Sequence, residues 1–570
     1  MKYYALPLLL ALTLASCSQE PAETAAVSNK PDNRELKVGL TQEFENLNAI
    51  IGQMMATMYL HKISGRTLVY MDANATWQPQ IVERIPSFDN GDAQFVTEQG
   101  GQKIRAQWRI KDNQFWGDGT PVTASDIEFS WRVGSHKNVT VGEKEVYTTV
   151  ERVELDATDD KAFVLVYQKA RWDFARMGGF ATLPEHLEGP VFERFAEQPL
   201  GYEKNTLYVT APTTPGLYNG PYRVTELKLG SHLVFNRNEH WRGQPPAIEQ
   251  LVFKIIPNTA TLEANIRSGT IDMISVLGLK FDQAMKFEKT VLREQLPLQV
   301  KYKPSITYEH IDLQLDNPLL SDVRVRRALV HAINREELVN ALFEGKQARA
   351  IHNIAPIDPW YSDDPAHIVD YRYSPRRANK LLDEAGWILG PDNYRHRDGV
   401  KLSLQFMTTA GDKSRELVQT YLQDQWKAVG IEISIKNEPA RVYFGETVRK
   451  GKYAAMAMFA YISAPESSPK STLHSKNIPR PDNQFSGQNT GGWVSEPVDI
   501  LLDQLDGEFD DSKRRALVQQ ILHHYTDQVP VIPLYYRSDI AVIPNNLAGY
   551  QLPGHQFQAS NRVEYWNLTE

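Results

Sequence analysis

The 570-residue sequence contains one cysteine, Cys17, so it can form neither an intramolecular disulfide nor a cluster of thiolate metal ligands. It also lacks an excess of positive charge, because 62 Lys and Arg residues stand against 70 Asp and Glu, a formal net charge of −8. Without basic runs, this balance excludes nucleic acid as an expected partner. No run of about 18 apolar residues occurs, so no membrane span is predicted.

Signatures of common catalytic sites are missing as well. The sequence has no His-Glu-x-x-His zinc motif, no Gly-x-Ser-x-Gly nucleophile elbow and no Gly-x-Gly-x-x-Gly dinucleotide loop. Ser467 and Lys470 have Ser-x-x-Lys spacing, but Pro469 disfavours the helix that would bring them together. We therefore expect no enzyme activity, no cofactor and no resident metal.

The N-terminal segment has the pattern of an export signal. A Met-Lys start precedes residues 3–14, which are almost wholly apolar but too few to span a membrane. Leu-Ala-Ser-Cys at 14–17 then matches the lipobox of bacterial lipoproteins, which predicts a signal peptide over 1–16 and acylation of Cys17. An ordinary secretory signal with a chance cysteine is the alternative. The polar residues 17–33 predict a flexible tether.

Strands and helices alternate through the rest of the chain. Residues 402–406 and 431–436 alternate apolar with polar residues, and a helical pattern over 413–429 lies between them. Residues 401–436 are thus predicted to form a β–α–β unit with parallel strands. The mixture indicates an α/β fold. No linker divides the chain cleanly, so we expect its lobes to be discontinuous in sequence.

Seven blocks, in the correct order, resemble the family 5 extracellular solute-binding proteins, the oligopeptide- and dipeptide-binding proteins of ABC importers. The first reads Asn-Gln-Phe-Trp-Gly-Asp-Gly-Thr-Pro and continues to residue 130. The blocks are 113–130, 219–224, 236–241, 268–272, 322–335, 378–387 and 531–536. The resemblance extends from about residue 35 to about residue 565.

The resemblance implies the fold and its division. It implies a two-lobed clamp of the type II periplasmic-binding-protein class, with mixed sheets flanked by helices and an extra domain. The implied segments are 34–69, 211–275 and 501–570 for lobe I, 70–210 for an extra domain packed on lobe I, and 276–500 for lobe II. Ligand would lie between the lobes and be buried by hinge closure, with no chemical step.

The resemblance also implies a function. It is that of a lipid-anchored monomer, in the periplasm or on the outer face of a cell membrane, that captures oligopeptides and delivers them to the permease and ATPase subunits of an ABC importer. Contact with the membrane would be through the lipid anchor only. The same scaffold holding a metal chelate, an oligosaccharide or a modified peptide is the alternative. An enzyme or a purely structural envelope lipoprotein is a third hypothesis.

Candidate ligand-binding residues follow from matching positions. Peptide binders of the family carry an aspartate, in a loop after a lobe II strand, that pairs with the peptide α-ammonium. In the corresponding loop here, 459–469, Glu466 is the sole acid and is either that partner or a solvent-facing loop acid. The other candidates are Gln42, Glu43, Phe44, Arg441, Tyr443, Tyr461, Ile462, Ser463, Trp493, Tyr535 and Tyr536.

Overall fold

A computed structural model describes residues 34–52, 54–98, 101–555 and 559–570. The predicted signal peptide, Cys17 and the tether lie outside the described residues. Within the described ranges, no helix combines the length and the apolar character needed to cross a lipid bilayer.

The strands are named in chain order. They are Glu35–Leu40 (β1), Val69–Met71 (β2), Trp77–Pro79 (β3), Ala93–Glu98 (β4), Gly101–Arg109 (β5), Val150–Leu155 (β6), Ala162–Tyr167 (β7), Tyr222–Lys228 (β8), His232–Arg237 (β9), Gln250–Ile255 (β10), Met273–Ile274 (β11), Leu298–Leu313 (β12), Ala348–Arg349 (β13), Ile388–Leu389 (β14), Arg395–Arg397 (β15), Val400–Lys401 (β16), Ser403–Met407 (β17), Glu432–Ile435 (β18), Met456–Ile462 (β19), Val531–Pro544 (β20), Leu547–Ala548 (β21) and Asn567–Leu568 (β22).

The helices are named in the same way. They are Met55–Ser64 (α1), Ala124–Ser135 (α2), Lys144–Thr148 (α3), Glu185–Phe195 (α4), Gly201–Asn205 (α5), Leu207–Thr210 (α6), Thr259–Arg267 (α7), Phe281–Glu294 (α8), Val323–His331 (α9), Arg335–Phe343 (α10), Pro375–Glu384 (α11), Lys413–Lys427 (α12), Ala440–Val442 (α13), Lys470–Leu473 (α14), Glu496–Gly507 (α15) and Asp511–Gln528 (α16). A wide-turn π-helix, Tyr443–Val448, continues directly from α13.

The main sheet runs through both lobes and is mixed, as the α/β prediction requires. Its strand order is β18-β17-β19-β12-β20-β11-β1-β10-β9-β8, and β13 pairs with β20. The predicted β–α–β unit is confirmed: β17 and β18 are parallel and α12 connects them. Asp412 caps α12 by accepting a hydrogen bond from the Arg415 backbone N–H, and Gly430 follows with a φ of +82°.

Lobe I and the extra domain share one hydrophobic core. Val38 and Phe253, from strands of the main sheet, belong to the same buried cluster as Trp108 and Phe163 of the extra domain. The extra domain has its own antiparallel sheet, with strand order β4-β5-β7-β6. Lobe II has a separate core around β17, β19 and α12. The extra domain is therefore anchored on lobe I.

The packing of the helices differs from the predicted lobe boundaries in two places. Helix α8, in the segment assigned to lobe II, buries Phe287 against Leu262 and Val542 on the lobe I side. Helices α15 and α16 pack on lobe II, where Leu502 and Leu522 lie in one cluster with buried residues of the 351–368 segment. The apolar faces of α15 and α16 thus pack against lobe II, although most residues of these helices belong to the segment assigned to lobe I.

Two long antiparallel strands, β12 and β20, connect the lobes. In lobe I, β20 also pairs with β11, whereas in lobe II β12 also pairs with β19. Between these regions the pairing of β12 with β20 shifts register, between Pro304 and Tyr308 and again between Glu309 and His310. Such irregularities bend and twist a strand pair locally. We call the β12–β20 pair the hinge.

Candidate functional site

Strand β19 of lobe II presents an edge with free main-chain groups. β12 pairs with it along its full length, but among the described strands β17 pairs with it only at Met456 and Ala457. The Met458 carbonyl faces the β17 side, because it accepts hydrogen bonds from Thr408 Oγ1 (2.9 Å) and Tyr443 Oη (3.0 Å). Successive residues of a strand direct their N–H and C=O groups to opposite sides. Ala460 and Ile462, two and four residues after Met458, therefore direct theirs to this same side.

A cavity of about 440 Å³ opens beside this edge. Its walls combine aromatic side chains with a few polar groups. They are Phe444, Val448, Arg449, Phe459, Ala460, Tyr461, Phe485, Ser486, Gly487, Gln488 and Thr490. In the π-helix, Tyr443 is fully buried, whereas the adjacent Phe444 is 42% exposed and lines the cavity. The volume and the apolar lining are typical of a site for a small organic ligand.

A hydrogen bond and a stacked ring hold Tyr461 in place at this cavity. Its hydroxyl donates a hydrogen bond to the Gln488 carbonyl (3.0 Å), and its ring stacks on His310 with centroids 5.0 Å apart. His310 in turn stacks on Tyr308. Burial raises the pKa of Tyr461 well above its ordinary value, so the phenol remains a neutral donor at physiological pH. The cavity wall is therefore preorganised around Tyr461.

A smaller cavity lies behind Tyr461. It measures about 30 Å³, enough for one or two water molecules. Asp312 and His310 belong to its lining, with 3.2 Å between His310 Nε2 and Asp312 Oδ1, and Asp312 Oδ2 accepts a hydrogen bond of 2.6 Å from Thr490 Oγ1. Trp493, a predicted ligand contact, lines this inner space and is 6% exposed.

The other predicted residues fall into two groups. Gln42, Glu43 and Arg441 are exposed, Ser463 is half-buried, and Ile462 at the end of β19 is 71% exposed. The second group is buried in the cores of the lobes and consists of Phe44, Tyr443, Tyr535 and Tyr536. The structure thus brings Tyr461 and Ile462 to the open edge and places the aromatic members of the second group in packing roles.

Glu466 lies at the contact between lobe II and the extra domain. Its Oε2 atom is 2.8 Å from Nη2 of Arg176, and the two side chains are 15% and 20% exposed. The Glu466 backbone N–H donates to Asp358 Oδ2 (3.0 Å). Burial raises the pKa of Asp358 to about 6 and lowers the pKa of Arg176. The predicted ammonium partner is therefore already paired with a cation of the chain itself.

Sequence reasoning missed Arg176 and Phe444. Arg176 is 290 positions from Glu466, so no local pattern connects them. The sequence does indicate Phe444, because it is adjacent to the candidate residue Tyr443. Among the described residues, no group of three or more His, Cys, Asp or Glu side chains is placed to hold a metal ion.

Comparisons with known proteins identify the family and agree with the fold. Residues 99–479 match the profile of "Bacterial extracellular solute-binding proteins, family 5 Middle". The chain is 24% identical over 571 residues to the oligopeptide-binding protein AppA of Bacillus subtilis, covering 99% of this chain and 97% of AppA. It is 26% identical to the nickel-binding periplasmic protein of Escherichia coli over 57% of this chain and 60% of that protein. The crystal structure of an oligopeptide-binding protein from Thermus thermophilus with a pentapeptide matches with a TM-score of 0.65 and 25% identity, covering 94% of this chain and 97% of that one.

Proposed function

The chain belongs to family 5 of the bacterial extracellular solute-binding proteins, and from this premise we propose that it captures oligopeptides between its lobes and delivers them to the permease of an ABC importer. Members of this family bind solutes and are not enzymes. The similar proteins that bind oligopeptides support this choice of ligand.

The observation that carries the proposal is the free edge of β19. An extended peptide that aligns with Ala460 and Ile462 adds a strand to the sheet, and its backbone hydrogen bonds supply affinity whatever its sequence. The cavity beside this edge has room for side chains of different size, and water fills the space that they leave. A site of this kind binds many peptides with little selectivity for their sequences.

A metal chelate is the second candidate, because a nickel-binding relative is similar to this chain. A chelate brings its own metal ligands but has no extended backbone to pair with a strand. The free edge therefore favours the peptide.

Replacing one residue tests the backbone pairing. Ala460→Pro removes the N–H that faces the ligand and leaves the β12 side of β19 unchanged, because that N–H makes no bond in the β12 ladder. We expect the variant to bind tri- to hexapeptides at least tenfold more weakly than the wild type by isothermal titration, with Ala460→Val as the control that keeps the N–H. Equal affinities for Ala460→Pro and the wild type, with unchanged melting temperatures, would show that peptide does not pair here.

We propose further that a lipid on Cys17 holds the protein at a membrane surface as a monomer, while residues 17–33 tether the lobes. The lipobox pattern at 14–17 supports this anchor. Membrane fractionation tests it: we expect wild-type protein in the membrane pellet and Cys17→Ser in the soluble fraction, whereas the same distribution for both would contradict the anchor.

A further inference from the structure

Arg176 and Glu466 join two parts of the molecule that, among the described residues, share no strand pairing near this point. Arg176 follows the last strand of the extra domain, β7, and Glu466 follows β19 in lobe II. The 2.8 Å ion pair between them therefore bridges the opening between the lobes. Both side chains are mostly shielded from water, so salt and solvent screen the pair less than an exposed one.

An aromatic platform holds Arg176 in position. Its guanidinium lies over the ring of Trp172, 4.2 Å from the centroid, and Arg514 of lobe II lies 4.3 Å from the centroid of the same ring. The ring of Trp360, also in lobe II, has its centroid 5.7 Å from that of Trp172. Guanidinium groups over an indole are attracted by its π-electrons. Arg176 is thus fixed by groups from both sides of the opening.

Glu466 is held as specifically as Arg176. Its φ angle is +55°, a left-handed conformation that few residues other than glycine adopt. The hydrogen bond from its backbone N–H to Asp358 Oδ2 holds this turn. Two carboxylates, Glu466 and Asp358, thus lie near Arg176. Arg514 lies near Glu466, while it also pairs with Asp511.

We propose that Arg176 acts as an internal cation that latches the closed clamp through Glu466 and makes the cleft selective for ligands that bring no positive charge to this end. We call the contact of Arg176, Trp172, Glu466, Asp358, Trp360 and Arg514 the latch. A ligand ammonium that reaches Glu466 must displace Arg176. Displacement leaves the guanidinium of Arg176 shielded from water and without its carboxylate. Removing one partner of a buried ion pair is energetically costly, because the other charge is left unpaired.

This selectivity rests on the proposed function, because it requires that the ligand is a peptide. A peptide with a blocked amine fits beside the intact latch, whereas a peptide with a free α-ammonium competes with Arg176. Removing Arg176 leaves Glu466 available to a ligand cation. Removing the charge of Glu466 eliminates both its ion pair with Arg176 and its attraction for a ligand ammonium.

Binding of paired peptides tests the selectivity. The probes are tri- to hexa-alanine peptides, each with a free and with an N-acetylated amine, titrated against the full chain. We expect the wild type to bind the acetylated forms at least as tightly as the free forms. Arg176→Ala should shift the ratio of the two dissociation constants about tenfold toward the free amines, whereas Glu466→Gln should give no shift toward them.

Arg152→Ala is the matched control, because Arg152 pairs with Glu98 and Glu154 inside the extra domain. It should leave the ratio at the wild-type value. An unchanged ratio in Arg176→Ala, or an equal shift in Arg152→Ala, would overturn the selectivity. Failure of every peptide to bind any variant would instead refute the proposed function.

Small-angle scattering without ligand tests the latch independently of any peptide. We expect the ligand-free wild type and Arg152→Ala to have the radius of gyration of this structure, in which the ion pair is formed, and Arg176→Ala to have a larger one. Arg176→Met, which keeps the apolar stem over Trp172, should behave like Arg176→Ala if the ion pair is responsible. Identical radii for wild type, Arg176→Ala and Arg176→Met would overturn the latch, whatever the peptide result.

Discussion

Among the described residues, two of the contacts between the lobes are built in different ways. At the hinge, β12 and β20 pair along most of their length, from Leu298 with Pro544 to Asp312 with Val531, and most of their central side chains are buried. At the other contact, only side chains meet across the gap. They include the latch and, beside it, Phe509 of lobe II, which packs edge-on against Phe88 and Phe95 of the extra domain.

This difference indicates which contact opens. Breaking the hinge would leave a ladder of backbone groups unpaired, and buried backbone groups without partners are costly. The second contact separates by rotation of a few side chains whose charges water can then solvate. Register shifts near Tyr308 let the hinge twist without losing its pairing. We therefore expect domain motion to pivot at the hinge and to make and break the latch.

The largest effect is expected from a truncation at the hinge. Tyr536 lies on β20, is fully buried, and its hydroxyl lies 2.8 Å from the carbonyl oxygens of His352 and Ile354, to which it donates. Tyr536→Ala should lower the free energy of unfolding by about 3–5 kcal/mol, because it leaves a cavity and unpaired carbonyls. Urea denaturation measures this loss.

Tyr536→Phe is the matched control, since it removes only the hydroxyl. Its loss should be about 1–3 kcal/mol. A loss below about 1 kcal/mol for Tyr536→Ala would mean that the hinge is not the firmly packed connection described above.

The next effect concerns the latch and depends on pH. Burial raises the pKa of Asp358 to about 6, above its ordinary value of 3.8, so the folded protein takes up a proton here before the unfolded chain does. Stability from this group is therefore greatest below about pH 4 and falls as the pH rises toward 6. Asp358→Asn removes this dependence, although its single amide oxygen can replace only one of the two carboxylate oxygens that accept hydrogen bonds from the backbone N–H groups of Trp360 and Glu466.

The free energy of unfolding of Asp358→Asn, relative to that of the wild type, should rise by roughly 2–3 kcal/mol between about pH 4 and about pH 7, from a pKa difference of about two units. Denaturation at a series of pH values measures it. Asp363→Asn, at an exposed carboxylate nearby, should show no such growth. A constant difference between Asp358→Asn and wild type across this range would contradict the raised pKa.

The contrast between hinge and latch also shows what sequence can predict. Local patterns predicted the β–α–β unit over 401–436, since alternation and caps are properties of neighbouring residues. Tyr443, Tyr535 and Tyr536 are candidate ligand contacts by their matching positions, but in the structure they fill cores. Aromatic residues occur both in binding sites and in cores, and only tertiary packing distinguishes the two. The pairing of Arg176 with Glu466 depends on how two distant segments fold together, which neither segment encodes alone.

The smallest expected effect separates the aromatic part of this second contact from its ion pair. Phe509 lies between α15 and α16, with its ring centroid 5.1 Å from that of Phe95 and 5.7 Å from that of Phe88. Aromatic pairs of this kind contribute about 0.5–1.5 kcal/mol beyond the area that they bury. Phe509→Ala should thus lower the free energy of unfolding by only about 1 kcal/mol while shifting the ligand-free molecule toward the open form.

Spin labels on α15 and β4 would report that shift as a longer distance between lobe II and the extra domain. Ile500→Ala is the matched control, because Ile500 lies on α15 and is 52% exposed. If Phe509→Ala opens the clamp as far as Arg176→Ala, the aromatic contact and the ion pair act as one unit. If the distance distribution is the same as for Ile500→Ala, the aromatic contact does not contribute to closure, since a contact that contributes must change the population when it is removed.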